Sequence, residues 1–159
     1  MEDNIYKAPE SEVVDKSNQQ VQYAGFWIRV GASIIDTVLI LAITLPLLTW
    51  IYGSAYWEGE NLFFGTWDIL LSYIFPAVAV ILFWIYKSAT PGKILCRLKI
   101  IDVNSGEALS NGQSIGRYLG YYVSMIPLML GIIWVAFDKR KQGWHDKLAG
   151  TAVVKVLPD

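Results

Sequence analysis

An arginine and an aspartate, Arg29 and Asp36, stand seven residues apart inside the apolar run FWIRVGASIIDTVLILAITLPLLTW. At about 100° per residue, seven positions fall some 20° short of two helical turns, so both side chains share one helix face about 10 Å apart along the axis. Asp36 falls about ten residues, or roughly 15 Å, into this helix, and an aspartate at mid-membrane costs about 2.5–3.5 kcal/mol on insertion scales. Two readings account for it equally. Asp36 is a proton- or cation-binding carboxylate facing a wet cavity, tuned by Arg29. Alternatively it is a polar clamp that fixes helix packing, with Ser33, Gly25 and Ala32 near the same face allowing close approach. Arg29, nearer the helix start, can extend to the interface or attract a lipid phosphate.

Three further clusters carry reactive side chains. Lys93 closes SATPGK, which lacks the upstream glycine and the following Ser or Thr of a phosphate-binding loop. Asp102 opens DVNSGE, but position twelve of a calcium loop would be Gln113, so a turn is expected. His145 and Asp146 lie in WHD, and a lone histidine makes neither a zinc site nor a triad. The aspartate is expected to cap a short helix or to bind a basic group in the preceding loop. Cys96, the only cysteine, excludes an intrachain disulfide and reads as a small half-buried side chain. No nucleophile–base pair or metal set emerges, so the chain is expected not to be an enzyme and to need no cofactor or metal.

The elements that position these residues are apolar. The 159 residues are 54% hydrophobic and 17% charged with mean hydropathy +0.39, more apolar surface than a small soluble domain can hide. The net charge of −1 gives no sign of nucleic-acid binding. A single domain over 23–156 is expected, between a disordered tail at 1–22 and a short tail at 157–159. It is read as an all-α integral membrane protein with helices near 26–51 and 69–86. A third apolar run, 118–137, is interrupted by Pro127 and Gly131. LKIIDV and TAVVKV read as strands able to pair in a small β-hairpin-like region.

The loop after the first helix lacks Lys and Arg, whereas the loop after the second is basic. The positive-inside bias therefore places the amino terminus and the second loop in the cytoplasm. A simple third crossing would put DKRK outside, against that bias. A broken or re-entrant run, turned near Pro127, keeps it inside, although each arm would be only about 15 Å long. Both topologies remain open at this point, with the re-entrant one favoured.

These pieces together resemble the RDD family of membrane proteins, named for one arginine and two aspartates. AGFWIRVGASIID is similar to its first motif, ATPGKILCRLKIIDVNSG to its loop, FDKRKQGWHDKLAGTAVV to its closing motif, and NIYKAP to bacterial amino-terminal tails. The resemblance implies Arg29 and Asp36 as the arginine and first aspartate, with Asp146 or Asp102 as the second. It also implies a multi-pass protein of the bacterial inner membrane. Family roles range from proposed transport, including sodium–proton exchange, to membrane adaptors. The first expectation is thus a small transport protein working as a homo-oligomer, with monovalent cations and protons as ligands. The alternative is a non-enzymatic adaptor that docks partner helices or lipids. Arg29, Asp36 and Asp146 are the leading site residues, with Asp102, Lys93, His145 and Ser33 behind them.

Overall fold

The computed structural model describes residues 21–58 and 63–156. Residues 1–20 of the tail expected at 1–22, the tail expected at 157–159, and NIYKAP lie outside the described residues; Gln22, within the expected tail, accepts the Lys155 N–H at 2.8 Å.

Helix α1 spans Phe26–Tyr52 and keeps Pro46 inside it without ending there. It stops at Gly53, whose positive φ of 64° turns the chain while its N–H still reaches the Thr49 carbonyl. Helix α2 spans Thr66–Lys87, three residues longer than expected at its start. It widens to a π-helical turn over Leu70–Ile74 just ahead of Pro76, which enters the first turn of the resumed α-helix, where a missing N–H is least disruptive. The two helices are tied at their loop end, where the Tyr52 hydroxyl accepts the Asp68 N–H at 3.3 Å. Both are long and apolar enough to cross a membrane, and within their most apolar windows only 11% and 6% of residues are buried. Their sides are therefore left for lipid or another protein to cover.

Apart from a short helical turn at Ala55–Glu58 in the loop after α1, the remaining described elements gather at the other end. They are α3 (Pro91–Leu95), β1 (Leu98–Asp102), α4 (Asn111–Met125), α5 (Leu130–Ala136), α6 (Trp144–Ala149) and β2 (Thr151–Lys155). The expected strands pair antiparallel, from Leu98 opposite Lys155 to Asp102 opposite Thr151, and Tyr23 bridges to Val154. The pair is not a hairpin, because α4, α5 and α6 intervene between its strands. Ala24, Trp84, Leu98, Ile100 and Val153 are buried together as the core of this end.

The third run starts at Asn111, seven residues before the expected 118. The Ser110 hydroxyl accepts the Gln113 N–H, and the Gln113 side chain accepts the Ser110 N–H, so a capping box nucleates a helix whose first turns are polar. Between α4 and α5 the axis turns by 113°, with Leu128 and Met129 in left-handed conformation beside Pro127. The sheet contains the segments before α1, after α2 and after α6. The third run therefore leaves from and returns to the sheet end, as a broken element rather than one straight helix.

Candidate functional site

Arg29 does not pair with Asp36. Its Nη1 meets Asp146 Oδ2 at 2.6 Å, its Nε donates to the Ala24 carbonyl at 3.0 Å, and its Nη2 donates to the Lys141 carbonyl at 2.5 Å. All three nitrogens are engaged, in the planar fork geometry that only arginine offers. Asp146 is wholly buried in the first turn of α6, where Oδ2 also accepts the Gly143 N–H at 3.0 Å. It caps its helix as expected, but its cations come from α1 and α4 rather than from the preceding loop. Arg117, also wholly buried, places Nη1 2.5 Å from Asp146 Oδ1 and donates to the Thr151 hydroxyl at 2.6 Å. The Arg117–Asp146 contact is ionic but poorly aligned as a hydrogen bond, since Oδ1 has no directional partner among the described residues. Burial alone would raise the pKa of the Asp146 carboxyl. Arg117 and Arg29 outweigh burial and bring it down to about 2.

His145 packs face to face on Tyr121, with ring centroids 3.9 Å apart, and its Nδ1 lies 3.3 Å from the Ser124 hydroxyl. Burial first, then Arg117 and Arg29, lower its pKa to about 3 against the opposing pull of Asp146, so the ring is neutral at pH 7. α4 and α6 approach closely because Gly120 faces the His145 backbone, where a Cβ would sit 2.9 Å from its Cα.

Asp36 is held by the loop after α2. Its Oδ1 accepts the Gly92 N–H at 2.7 Å, its Oδ2 accepts the Thr90 hydroxyl at 2.5 Å, and Lys93 Nζ stands 4.0 Å from Oδ2. Pro91 opens α3 at a position where its absent N–H is no loss, and Gly92 permits contact with α1. A Cβ on Gly92 would fall 2.1 Å from the Ala32 carbonyl oxygen. The carboxylate therefore has polar company from the chain itself.

Two cavities flank this pair of clamps. One of about 420 Å³ lies beside Arg29, Ile34, Val38 and His145, and one of about 300 Å³ beside Asp36, Lys93, Trp84 and Tyr118. Ser33, Thr37, Tyr121 and Met125 line both. The structure thus gathers Arg29, Asp146 and His145 in one cluster and Asp36 and Lys93 in another, with Ser33 on the wall between them. Asp102 stands apart at the end of β1, where it accepts the Asn104 N–H at 2.9 Å as a turn residue. Arg117, Thr90 and Gly92 have roles that the sequence reading did not assign. A signal for Arg117 was present. Ser114, Arg117, Gly120 and Ser124, the buried positions of α4, recur at helical spacing as one arginine among small residues.

The sequence profile described as the RDD family matches residues 23–150, which includes every charged residue of both clamps. The chain belongs to the RDD family. Among the proteins it is similar to, the uncharacterized protein YxaI of Bacillus subtilis is 30% identical over 82% of this chain and 96% of the relative. The uncharacterized membrane protein YteJ of the same organism is 28% identical over 97% of this chain and 92% of its own length. The uncharacterized protein RP437 of Rickettsia prowazekii is 26% identical over 86% of this chain and 98% of its own. No solved structure matches. This RDD protein is a membrane protein with apolar helices, and its fold brings Asp146, not Asp102, to Arg29.

Proposed function

We propose that this RDD protein is a non-enzymatic membrane adaptor. A rigid, ion-clamped cap at the sheet end holds two sparsely buried helices in place for partner helices to dock against. The observation that carries this reading is the saturation of Arg29 and Asp36. Each nitrogen of Arg29 and both oxygens of Asp36 are bonded within the chain. A carboxylate that exchanges ions must release its partners in each cycle, whereas a clamp keeps them. The orientation that suits the charge pattern places the cap in the cytoplasm of a bacterial cell.

The transport reading has one observation in its favour, the two cavities that meet along Ser33 and Thr37 beside Asp36. Proteoliposome flux separates the two. The adaptor reading predicts no pH-coupled cation movement above empty liposomes, and a photo-crosslinker at Val38, on the exposed side of α1, that yields one discrete adduct in native membranes. Saturable cation flux that disappears in Asp36→Asn while insertion is retained would establish transport through an oligomer instead.

A further inference from the structure

The end of α2, α3 and the start of β1 border an open notch of about 260 Å³ whose charges are all of one sign. Lys87, Arg97 and Lys99 line it, and no carboxylate does so among the described residues. The three side chains are exposed, and none of them enters an ion pair of the described residues. Leu98 and Ile100 are buried in the core, which turns Lys99 outward between them. Arg97 follows α3 with a φ of 53°, in the left-handed region that strains any residue with a Cβ. A glycine would suit that backbone, yet the position carries a cation on the wall of the notch.

The notch stands at the height of lipid headgroups. With 22 residues, α2 is about 33 Å long, a close match to a hydrocarbon core of about 30 Å, so its last residue, Lys87, falls at the boundary. Tyr86 beside it and Trp27 at the start of α1 are exposed there, as aromatic side chains at a membrane boundary are. α3 reaches deeper, because Gly92 packs against the Ala32 carbonyl about two turns inside α1. It leaves Ile94 and Leu95 48% and 69% exposed. Lys99 lies in the sheet, opposite Val154, which also bridges to Tyr23 ahead of α1. An apolar side at α3 therefore adjoins a cationic side at the sheet. We infer that Lys87, Arg97 and Lys99 hold the phosphoryl headgroup of an anionic phospholipid, with its glycerol and first methylenes against Ile94 and Leu95. A free phosphate or a soluble acidic segment would meet the same cations but leave those two apolar side chains uncovered. The inference stands independently of whether α1 and α2 dock another protein.

Binding of a fluorescent phosphatidylglycerol to the full chain in uncharged detergent tests it, with unlabelled phosphatidylglycerol, phosphatidylcholine, inorganic phosphate or an oligoglutamate peptide as competitor. Saturable binding is expected, weakened by added salt and displaced by phosphatidylglycerol at least about tenfold better than by any other competitor. Arg97→Gly suits the backbone and removes one cation, so it should lower the affinity about fivefold without lowering the unfolding midpoint. The exposed Lys139→Ser, which removes one charge outside the notch, should leave the affinity within about twofold. Displacement by inorganic phosphate or by oligoglutamate as good as by phosphatidylglycerol would assign the cations to a free ion or to an acidic protein segment and overturn the lipid. Equal competition by the two lipids, an unchanged affinity in Arg97→Gly, or an equal loss in Lys139→Ser would overturn the site itself. If Arg97→Gly does not fold, Lys99→Ser takes its place and must weaken binding by the same factor; an unchanged affinity there would also overturn the site.

Discussion

Gly92→Ala is the smallest change that should part α3 from α1. The added Cβ would lie 2.1 Å from the Ala32 carbonyl oxygen and 2.9 Å from Asp36 Cγ, whereas real Cβ contacts essentially never fall below 3.0 Å. The backbone of α3 must therefore retreat by at least about 0.9 Å, the difference between 3.0 and 2.1. A retreat of that size stretches the 2.7 Å bond from Gly92 N–H to Asp36 to about 3.6 Å, too long for a hydrogen bond. Losing a bond to a charged group costs about 1.5–3 kcal/mol, and overpacking costs about 1–3 kcal/mol more. A loss of about 3 kcal/mol corresponds to about 6–12 °C in unfolding midpoint for a chain of this size. Circular dichroism melts in detergent would read it. Gly112→Ala is the control, since nothing among the described residues lies within 4 Å of a Cβ there; on a helix it should be neutral or stabilising by about 0.4–1 kcal/mol. Equal midpoints for Gly92→Ala and wild type would refute the packing of α3 on α1 and the Asp36 clamp with it.

Two more outcomes follow from the same geometry. Because the pKa of His145 is lowered to about 3 from an ordinary 6.5, the unfolded chain binds its proton first, so stability should fall as pH drops from about 6.5 toward 3. Asp146, held down to about 2, adds a second loss between about pH 4 and pH 2, where the unfolded carboxyl protonates before the folded one. His145→Gln should flatten the melting midpoint between pH 7 and pH 5 while keeping the more acidic step, and an unchanged slope would show that another group titrates there. With Cys96 replaced by serine, cysteines at Ser105 and Lys139 should label from one face of the membrane and a cysteine at Ser54 from the other. Opposite labelling at Ser105 and Lys139 would mean that the third run crosses.

The elements were more legible than the contacts. The two long helices follow from their apolar runs, and the pairing of LKIIDV with TAVVKV follows from their β-branched composition and the charge bias. The break near Pro127 was visible in Pro127 and Gly131 themselves and in the charge bias. The start of α4 was not, because its capped first turns are polar and read as loop. Partner choice was hidden most deeply. Helical periodicity relates Arg29 to Asp36 because they are seven residues apart, but Arg29 meets a residue 117 positions away and Asp36 meets Thr90 and Gly92, 54 and 56 positions away. Sharing a helix face made the two residues neighbours in pattern, but α6 supplies the partner of Arg29 while α3 and the residue before it supply those of Asp36.

A double-mutant cycle tests that separation most directly. Unfolding free energies of Arg29→Met, Asp146→Asn, Asp36→Asn and the two double variants containing Arg29→Met yield two coupling energies. Residues in direct ionic contact couple by about 0.5–3 kcal/mol and independent ones by less than about 0.5 kcal/mol. The structure predicts coupling in the upper range for Arg29 with Asp146 and near zero for Arg29 with Asp36. Strong coupling between Arg29 and Asp36, with none to Asp146, would contradict it.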